Sequence, residues 1–368
     1  MDAFMTFYKA SFDRLNEQLK VYNRQLRREE KRLLAPARKD MADLNSGGKL
    51  LRGVLVNLGY RLAGYEDVSY SDAAAIAFEI FQTGILIHDD IIDKAKLRRG
   101  KKTMTERYID ALAMRDIDPP AEGETRESVA AGMALCAGDY MITEANLHLL
   151  ENYAGKPHGA EAIKEFDRIV LDTIRGEMLD VILPCEAQDA TPVPEEADRV
   201  LEESIMDIYH LKTSRYSVMG PMRVGMILGG MTEKRMAIID EIMDEFGIAF
   251  QIKDDLLGIY ADAEKLGKEI GSDVSEFKQT ILYAYVKRKN PDAYEELLKY
   301  YGKADLTAED IKAVQEIFSD SGAKRYAEKK MEQGFERALE RLEKVKFISE
   351  DHKEILKDFI QYSRHREK

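Results

Sequence analysis

A chain of 368 residues, 45% of them hydrophobic, carries enough apolar side chains for a large packed core, and its length alone permits more than one domain. A formal net charge of -13 with no basic stripe excludes nucleic acid as the main partner and says little about fold. Its two cysteines, Cys136 and Cys185, lack the spacing of a disulfide framework or a metal site and read as thiols of a reducing cytosol.

The first twenty residues, MDAFMTFYKASFDRLNEQLK, have an amphipathic helix pattern that includes acids and lacks the apolar core of a signal peptide. Asp72 is expected to cap a helix running to about residue 94, apolar on nearly every face and therefore buried in a bundle. Its run AAAIAFEIFQTGILI is interrupted by Glu79 and Gln82, as suits a core helix and not a membrane span, so no stable membrane anchor is expected. Prolines and acids at 115–128 and 184–198 predict loops. Helical periodicity covers 128–153, 162–183, 203–229 with a kink at Pro221, and 233–260; a surface helix is predicted over 323–345. No alternating strand pattern and no repeat of fixed period is present. The helices beside both loops are apolar enough to need one another, which predicts a single all-α domain over 1–368.

The sequence DDIID at 89–93 ends one apolar helix, and DDLLG at 254–258 follows another containing Phe246, Ile248, Phe250 and Ile252. On a helix Asp89 and Asp93 share a face, as do Asp90 and Asp93, and like charges so placed repel unless a cation intervenes. Magnesium takes hard oxygen ligands of this kind together with substrate phosphates. One such motif alone is equally a solvated helix end; with Asp254 and Asp255, the pair of motifs predicts a shared cavity rim. Arg98 and Arg99 are adjacent, and in an extended chain they would point to opposite sides and clamp two anions. Lys49 and Arg52 in GGKLLRG, Lys212 in YHLKTSRY, Lys268 in LGKEIGSD and Lys278 in EFKQT are singly ordinary surface residues. Together with two acidic motifs they describe a pocket for two diphosphates.

From SGGKLLRG at residue 46 to EFKQTIL at 282, through DDIIDKAKLRRGKKT, AGDYMITEA, HLKTS and FQIKDDLLGIYADAEKLGKEIGSD, the chain resembles the trans-isoprenyl diphosphate synthases, the family of farnesyl and geranylgeranyl diphosphate synthases. The resemblance implies one large helix bundle around a central cavity, the isoprenoid (terpenoid) synthase fold. It implies that Asp89, Asp90, Asp93, Asp254 and Asp255 hold magnesium, three ions with substrate bound, against an allylic diphosphate. Arg98, Lys212 and Lys268 would bind that diphosphate, with Lys278 a weaker candidate. Lys49, Arg52, Arg99 and Gln82 would hold isopentenyl diphosphate, and Thr213 and Gln251 would turn oxygen dipoles toward the allylic cation. Several positions depart from the family pattern. Gly258 stands for the third aspartate of the second motif, with Asp262 as a substitute to consider. Gly53 stands where a proline is usual, Lys102 likewise, and Phe277 where glycine is common. His88 adjoins the first motif but reads as a core histidine, not a base.

The implied reaction ionises the allylic C–O bond, adds isopentenyl diphosphate to the cation and loses a proton to the released diphosphate, with no side-chain base demanded. In the family the helix bearing the first motif lines the pocket for the growing chain. Gly84 and Ile85, five and four residues before the motif, leave that pocket open, and Phe81 is its next floor, so products of geranylgeranyl length or somewhat longer are expected. A class I terpene cyclase would not need Lys49, Arg52 and Arg99. A non-catalytic regulatory subunit should have lost acids from one motif, and a lipid carrier would need neither. A homodimer in the cytoplasm is the expected state.

Overall fold

The structure is a computed structural model that describes residues 2–28, 35–119, 121–186, 195–261 and 271–366. Helices come first in chain order: α1 (Asp2–Leu26), α2 (Ala35–Leu44), α3 (Leu51–Leu62), α4 (Asp72–Ile92), α5 (Met104–Met114), α6 (Arg126–Tyr153), α7 (Gly159–Glu186) and α8 (Glu195–Ile208). A π-helical segment, Tyr209–Met219, leads into α9 (Gly220–Leu228) and α10 (Glu233–Tyr260). Beyond these lie shorter helices and three longer ones, Ala308–Asp320, Ala323–Glu343 and Glu350–His365. The chain is all-α, as its periodicity predicts.

Contacts divide it into two compact units. The N-terminal unit is Thr6–Phe166 with Val224–Gly230; the C-terminal unit is Met1–Met5, Asp167–Arg223 and Met231–Lys368.

In the N-terminal unit α4 is the central element. Phe78 and Phe81, both fully buried, set their rings edge-on against Phe166 at centroid distances of 5.1 and 5.6 Å. Such pairs add to the burial of apolar area that drives packing. Asp72 is not a cap. Ser71 occupies the cap position without a side-chain bond, and Asp72, the first helical residue, is buried. Its carboxylate accepts from Arg14 (2.8 and 3.0 Å), Gln18 (2.7 Å) and Asn57 (3.1 Å), so burial of the charge is matched by donors from α1 and α3.

Several boundaries differ from the sequence reading; α7 starts at Gly159, and α8 starts at Glu195, within the segment predicted as a loop. Helix α6 begins at Arg126 because Thr125 and Ser128 form a reciprocal capping box at 3.1 Å each way. Helix α7 runs through Pro184 to Glu186, since a proline in the last turn removes one backbone bond without ending the helix. The 203–229 helix is interrupted: its π-helical turns, closed by the Gly220 N–H on the Arg215 carbonyl, precede Pro221 and make room for a ring that cannot join the regular ladder. Residues 97–102, where the sequence reading allows an extended chain at Arg98 and Arg99, form a two-stranded hairpin, Leu97–Arg98 against Lys101–Lys102, too short to show alternation.

In the C-terminal unit α10 packs closely on its neighbours. A Cβ at Gly247 would lie 2.6 Å from Ser214 of the π-helical segment, and one at Gly334 would lie 2.8 Å from the Ala249 side chain. Phe246 meets Phe359 at 4.9 Å and Phe335 at 5.9 Å. The 323–343 helix buries Ala323, Ala327, Met331, Gly334, Phe335, Ala338 and Leu342 along one stripe and leaves the others half-buried or exposed, the amphipathic pattern of its sequence.

Candidate active site

The N-terminal unit carries the first acidic motif at the C-terminal end of α4. Asp90 is 3% exposed, and Arg98 donates to its Oδ1 through Nε at 2.7 Å, with Nη2 at 2.6 Å. Burial raises the Asp90 carboxyl to about 6, with Arg98 pulling it down and Asp89 and Asp93 pushing it up. The guanidinium answers only part of the negative charge gathered there.

The hairpin separates the two arginines, though not as an extended strand would. Arg98 ends the first strand, pairing in register with Lys101, while Arg99 (φ 53°) and Gly100 (φ 71°) form a two-residue turn with positive φ at both positions. Arg98 therefore folds back on α4, and Arg99 reaches the glycine loop: a Cβ at Gly48 would sit 3.3 Å from Arg99 Nη1. That loop passes through left-handed Gly47 and Leu50 before α3, and the Tyr8 hydroxyl donates to the Lys49 carbonyl at 2.5 Å. Lys49 is exposed, and Arg52 and Gln82 are half-buried. A cavity of about 130 Å³ opens among Ser46, Gly47, Thr83, Asp90, Arg98 and Arg99, and Asp43 and Lys101 also line it.

The C-terminal unit carries the second motif and a chain of hydrogen bonds. Thr213 Oγ1 donates to Gln251 Oε1, Gln251 Nε2 donates to Asp255 Oδ1 at 2.8 Å, and the Tyr209 hydroxyl donates to Asp255 Oδ2. Tyr209 in turn accepts the Ile281 N–H at 3.0 Å. The Gln251 oxygen thus accepts from Thr213, which ties together the two residues expected to present dipoles and leaves the oxygen a second lone pair. Burial pushes the Asp255 carboxyl up to about 8, with Asp273 and Asp254 adding to it against the donors Tyr209 and Gln251. Lys212 lies 2.8 Å from both Glu177 and Asp180 of α7, and Lys278 lies 2.6 Å from Glu276. Asp254 accepts from Arg366, whose guanidinium lies 3.8 Å from the Phe250 ring centroid. Lys268 and Asp262 lie outside the described residues.

Tyr209, Glu177, Asp180 and Asp273 escaped the sequence reading. No motif spacing links Lys212 to carboxylates more than thirty residues earlier on another helix. Gly84, expected to leave the product pocket open, lies against α6. It does not face open space: a Cβ there would lie 2.8 Å from Ile142 Cγ1 and 2.9 Å from the Gly138 carbonyl, so it is where α4 and α6 touch. Ile85 and Phe81 are buried, and none of the three lines the cavity described above. His88 is half-buried, with Nε2 3.2 Å from the Leu135 carbonyl and 3.4 Å from Asp139, a packing role on α6.

Among the described residues no three acidic, histidine or cysteine side chains already stand together as a metal cage. The donor chemistry nonetheless fits a hard divalent cation. Two buried carboxylates, Asp90 and Asp255, are each raised by burial and by neighbouring aspartates, the imbalance that a cation sharing its ligands with a diphosphate would relieve.

The polyprenyl synthetase family model matches residues 36–318. A short chain isoprenyl diphosphate synthase of Methanothermobacter thermautotrophicus is 30% identical over 263 residues, 71% of this chain and 70% of the relative. One of the same description from Methanocaldococcus jannaschii is 28% identical over 303 residues, 82% of this chain and 80% of the relative. In structure, geranylgeranyl pyrophosphate synthase from Corynebacterium glutamicum, complexed with isoprenyl diphosphate and magnesium, matches with a TM-score of 0.82 over 99% of both chains; at 24% identity that likeness shows the fold.

Proposed function

The chain belongs to the polyprenyl synthetase family and is a prenyltransferase of isoprenoid biosynthesis, and from that premise we propose that it condenses isopentenyl diphosphate with an allylic diphosphate to give an all-trans prenyl diphosphate. The observation that carries the proposal is the cavity where Ser46, Gly47, Arg99 and Lys101 meet the Asp90–Arg98 pair: an anion site and an acidic motif side by side.

The residue roles follow the family pattern and the local chemistry. Lys49, Arg52, Arg99 and Gln82 bind isopentenyl diphosphate. Arg98, Lys212 and Lys268 bind the allylic diphosphate, with Lys278 in support. Arginine forks suit phosphate oxygens, and the Glu177 and Asp180 carboxylates hold the Lys212 ammonium in place. Asp89, Asp90, Asp93, Asp254 and Asp255 would hold magnesium, three ions with substrate bound, and magnesium when bound supplies positive charge to the departing diphosphate. The cationic side chains stabilise that diphosphate as the allylic C–O bond breaks. Electrons of the isopentenyl double bond then form the new C–C bond, and a proton leaves to the released diphosphate. The Thr213 hydroxyl, held by Gln251, lends a dipole to the cation.

We infer that residues 1–368 work as one synthase domain and that the working form is a cytoplasmic homodimer. In support, helix α7 exposes Leu171, Ile174, Met178, Val181 and Ile182 along one face, an unusual apolar stripe for a solvated helix. No helix among the described residues is long and apolar enough to cross a membrane, and both cysteines are free. The geranylgeranyl or somewhat longer product is the proposed length.

The test is incubation of the purified protein with magnesium, isopentenyl diphosphate and, separately, dimethylallyl, geranyl and farnesyl diphosphates, with products dephosphorylated and sized. Elongation of any primer upholds the reading. Failure of all three with folded protein would return the regulatory-subunit alternative.

A further inference from the structure

Helix α4 is nearly all apolar, yet Glu79 within it is 4% exposed. A buried carboxylate is costly unless donors and charges meet it. Here one oxygen accepts the Gly53 N–H at 2.9 Å, the Arg52 backbone N–H also bonds the carboxylate, and the positive charges of Arg52 and Arg99 act on it. These two N–H groups belong to the first turn of α3, where a negative charge is favoured. Gly53 matters to this contact: a proline, usual at this position in the resembling family, would have no N–H to give.

One turn later on α4, the Thr83 hydroxyl lies 2.7 Å from Asn45 Oδ1. Asn45 Nδ2 donates to Asn23 Oδ1 at 2.9 Å, and Asn23 Nδ2 reaches Ser46 Oγ at 3.1 Å. Asn23, Asn45, Glu79 and Thr83 are all buried. The segment 45–53, which bears Lys49 and Arg52, is therefore gripped at its start through Thr83 and at its end through Glu79.

We propose that Glu79, aided by Thr83, is a positioning residue that clamps both ends of the 45–53 segment and thereby holds Lys49 and Arg52 for the diphosphate of isopentenyl diphosphate. The inference rests on the assignment of that diphosphate to Lys49, Arg52 and Arg99. The carboxylate touches no substrate. It acts by fixing the backbone from which two cations project, and by offsetting the repulsion that Arg52 and Arg99 would otherwise exert on each other.

The test compares steady-state kinetics of Glu79→Gln, Thr83→Val and Arg52→Ala with the unaltered full chain, varying each substrate in turn. Glutamine has one acceptor oxygen where the carboxylate has two, and its amino group opposes the second N–H. Glu79→Gln is expected to raise the KM for isopentenyl diphosphate about tenfold while the allylic KM stays within about twofold. Thr83→Val should raise the same KM about threefold and carries the test should Glu79→Gln fail to fold, as judged by its helical circular dichroism. Parallel loss for both substrates, or no change in either folded variant, overturns the inference. Arg52→Ala tells which idea has failed: if it alone raises the isopentenyl KM, the clamp is wrong and the site stands, whereas if none of the three does, the site assignment falls and the clamp with it.

Discussion

Arg366 donates to the carboxylate of Asp254 while its guanidinium covers the ring of Phe250 at 3.8 Å, so a cation from the C-terminal end of the chain already sits on an acid of the second motif. With Asp254 a proposed magnesium ligand, the two cations compete for it. The Asp254 side chain is 41% exposed, so the pair is screened and worth about 0.2–1 kcal/mol. Arg366→Gln should lower the magnesium concentration for half-maximal activity, by up to about fivefold. A magnesium titration at saturating substrates measures it, and an unchanged requirement would mean that Arg366 does not oppose the metal.

Gly84 makes a prediction opposite to the one its sequence position suggests. In a pocket wall, a larger residue there would shorten the product. Where α4 meets Gly138 and Ile142 of α6, it would instead force the helices apart. Gly84→Ala is expected to destabilise by about 1–3 kcal/mol with no change in product length. Phe81→Ala removes a fully buried ring from Phe166 and should cost about 3–5 kcal/mol. Thermal melts and product sizing on both variants separate packing from chain-length control; a shortened product from Gly84→Ala would restore the pocket-wall reading.

What the sequence revealed and what it hid divide along contact range. The two acidic motifs, the glycine loop and the arginine pair were legible because each is a few consecutive residues whose chemistry does not depend on distant partners. The hold of Glu177 and Asp180 on Lys212, and of Glu79 on Gly53, joins separate helices, and periodicity tells which residues are buried but not against what. The π-helical turns at Tyr209–Met219 were invisible to a pattern that assumes 3.6 residues per turn, although they carry Lys212 and Thr213. Asp72 shows a third kind of failure. Its side chain is suited to a cap, but three donors from other helices gave it a buried role instead.

Gly258 occupies the place of a third aspartate, and a Cβ there would lie 3.2 Å from Asp273 Oδ2. A carboxylate already stands beside the vacated position, on a different stretch of chain. Gly258→Asp would bring a second negative charge against Asp273, and like charges this close oppose each other strongly unless a cation joins them. The variant should melt at a lower temperature than the unaltered chain in chelator and gain more from millimolar magnesium, since a ligand that binds the folded state stabilises it. Equal gains for both proteins would show that the two acids do not share a cation.

His210 and Asp244 set a pH dependence of stability. The imidazole Nδ1 lies 2.6 Å from Asp244 Oδ1. Hydrogen bonding to Asp244 raises His210 above its ordinary 6.5, against burial and Arg215. Against burial, which opposes it, the His210 hydrogen bond and charge hold Asp244 below its ordinary 3.8. A raised histidine contributes fully below its unfolded value and loses that contribution as pH rises through the folded one; a lowered aspartate contributes fully above its unfolded value and loses it as pH falls through the folded one. The pair therefore stabilises most from about pH 4 to about pH 6.5. Arg215 and Asp172 also face His210 with opposite effects, and the ring's 40% exposure keeps the contribution modest. The melting-temperature gap between the unaltered chain and His210→Gln should be widest near pH 5.5 and narrow by about pH 8.5. A gap that is constant across that range would show that His210 binds its proton equally well in the folded and unfolded chain, so that the bond to Asp244 contributes no pH-dependent stability.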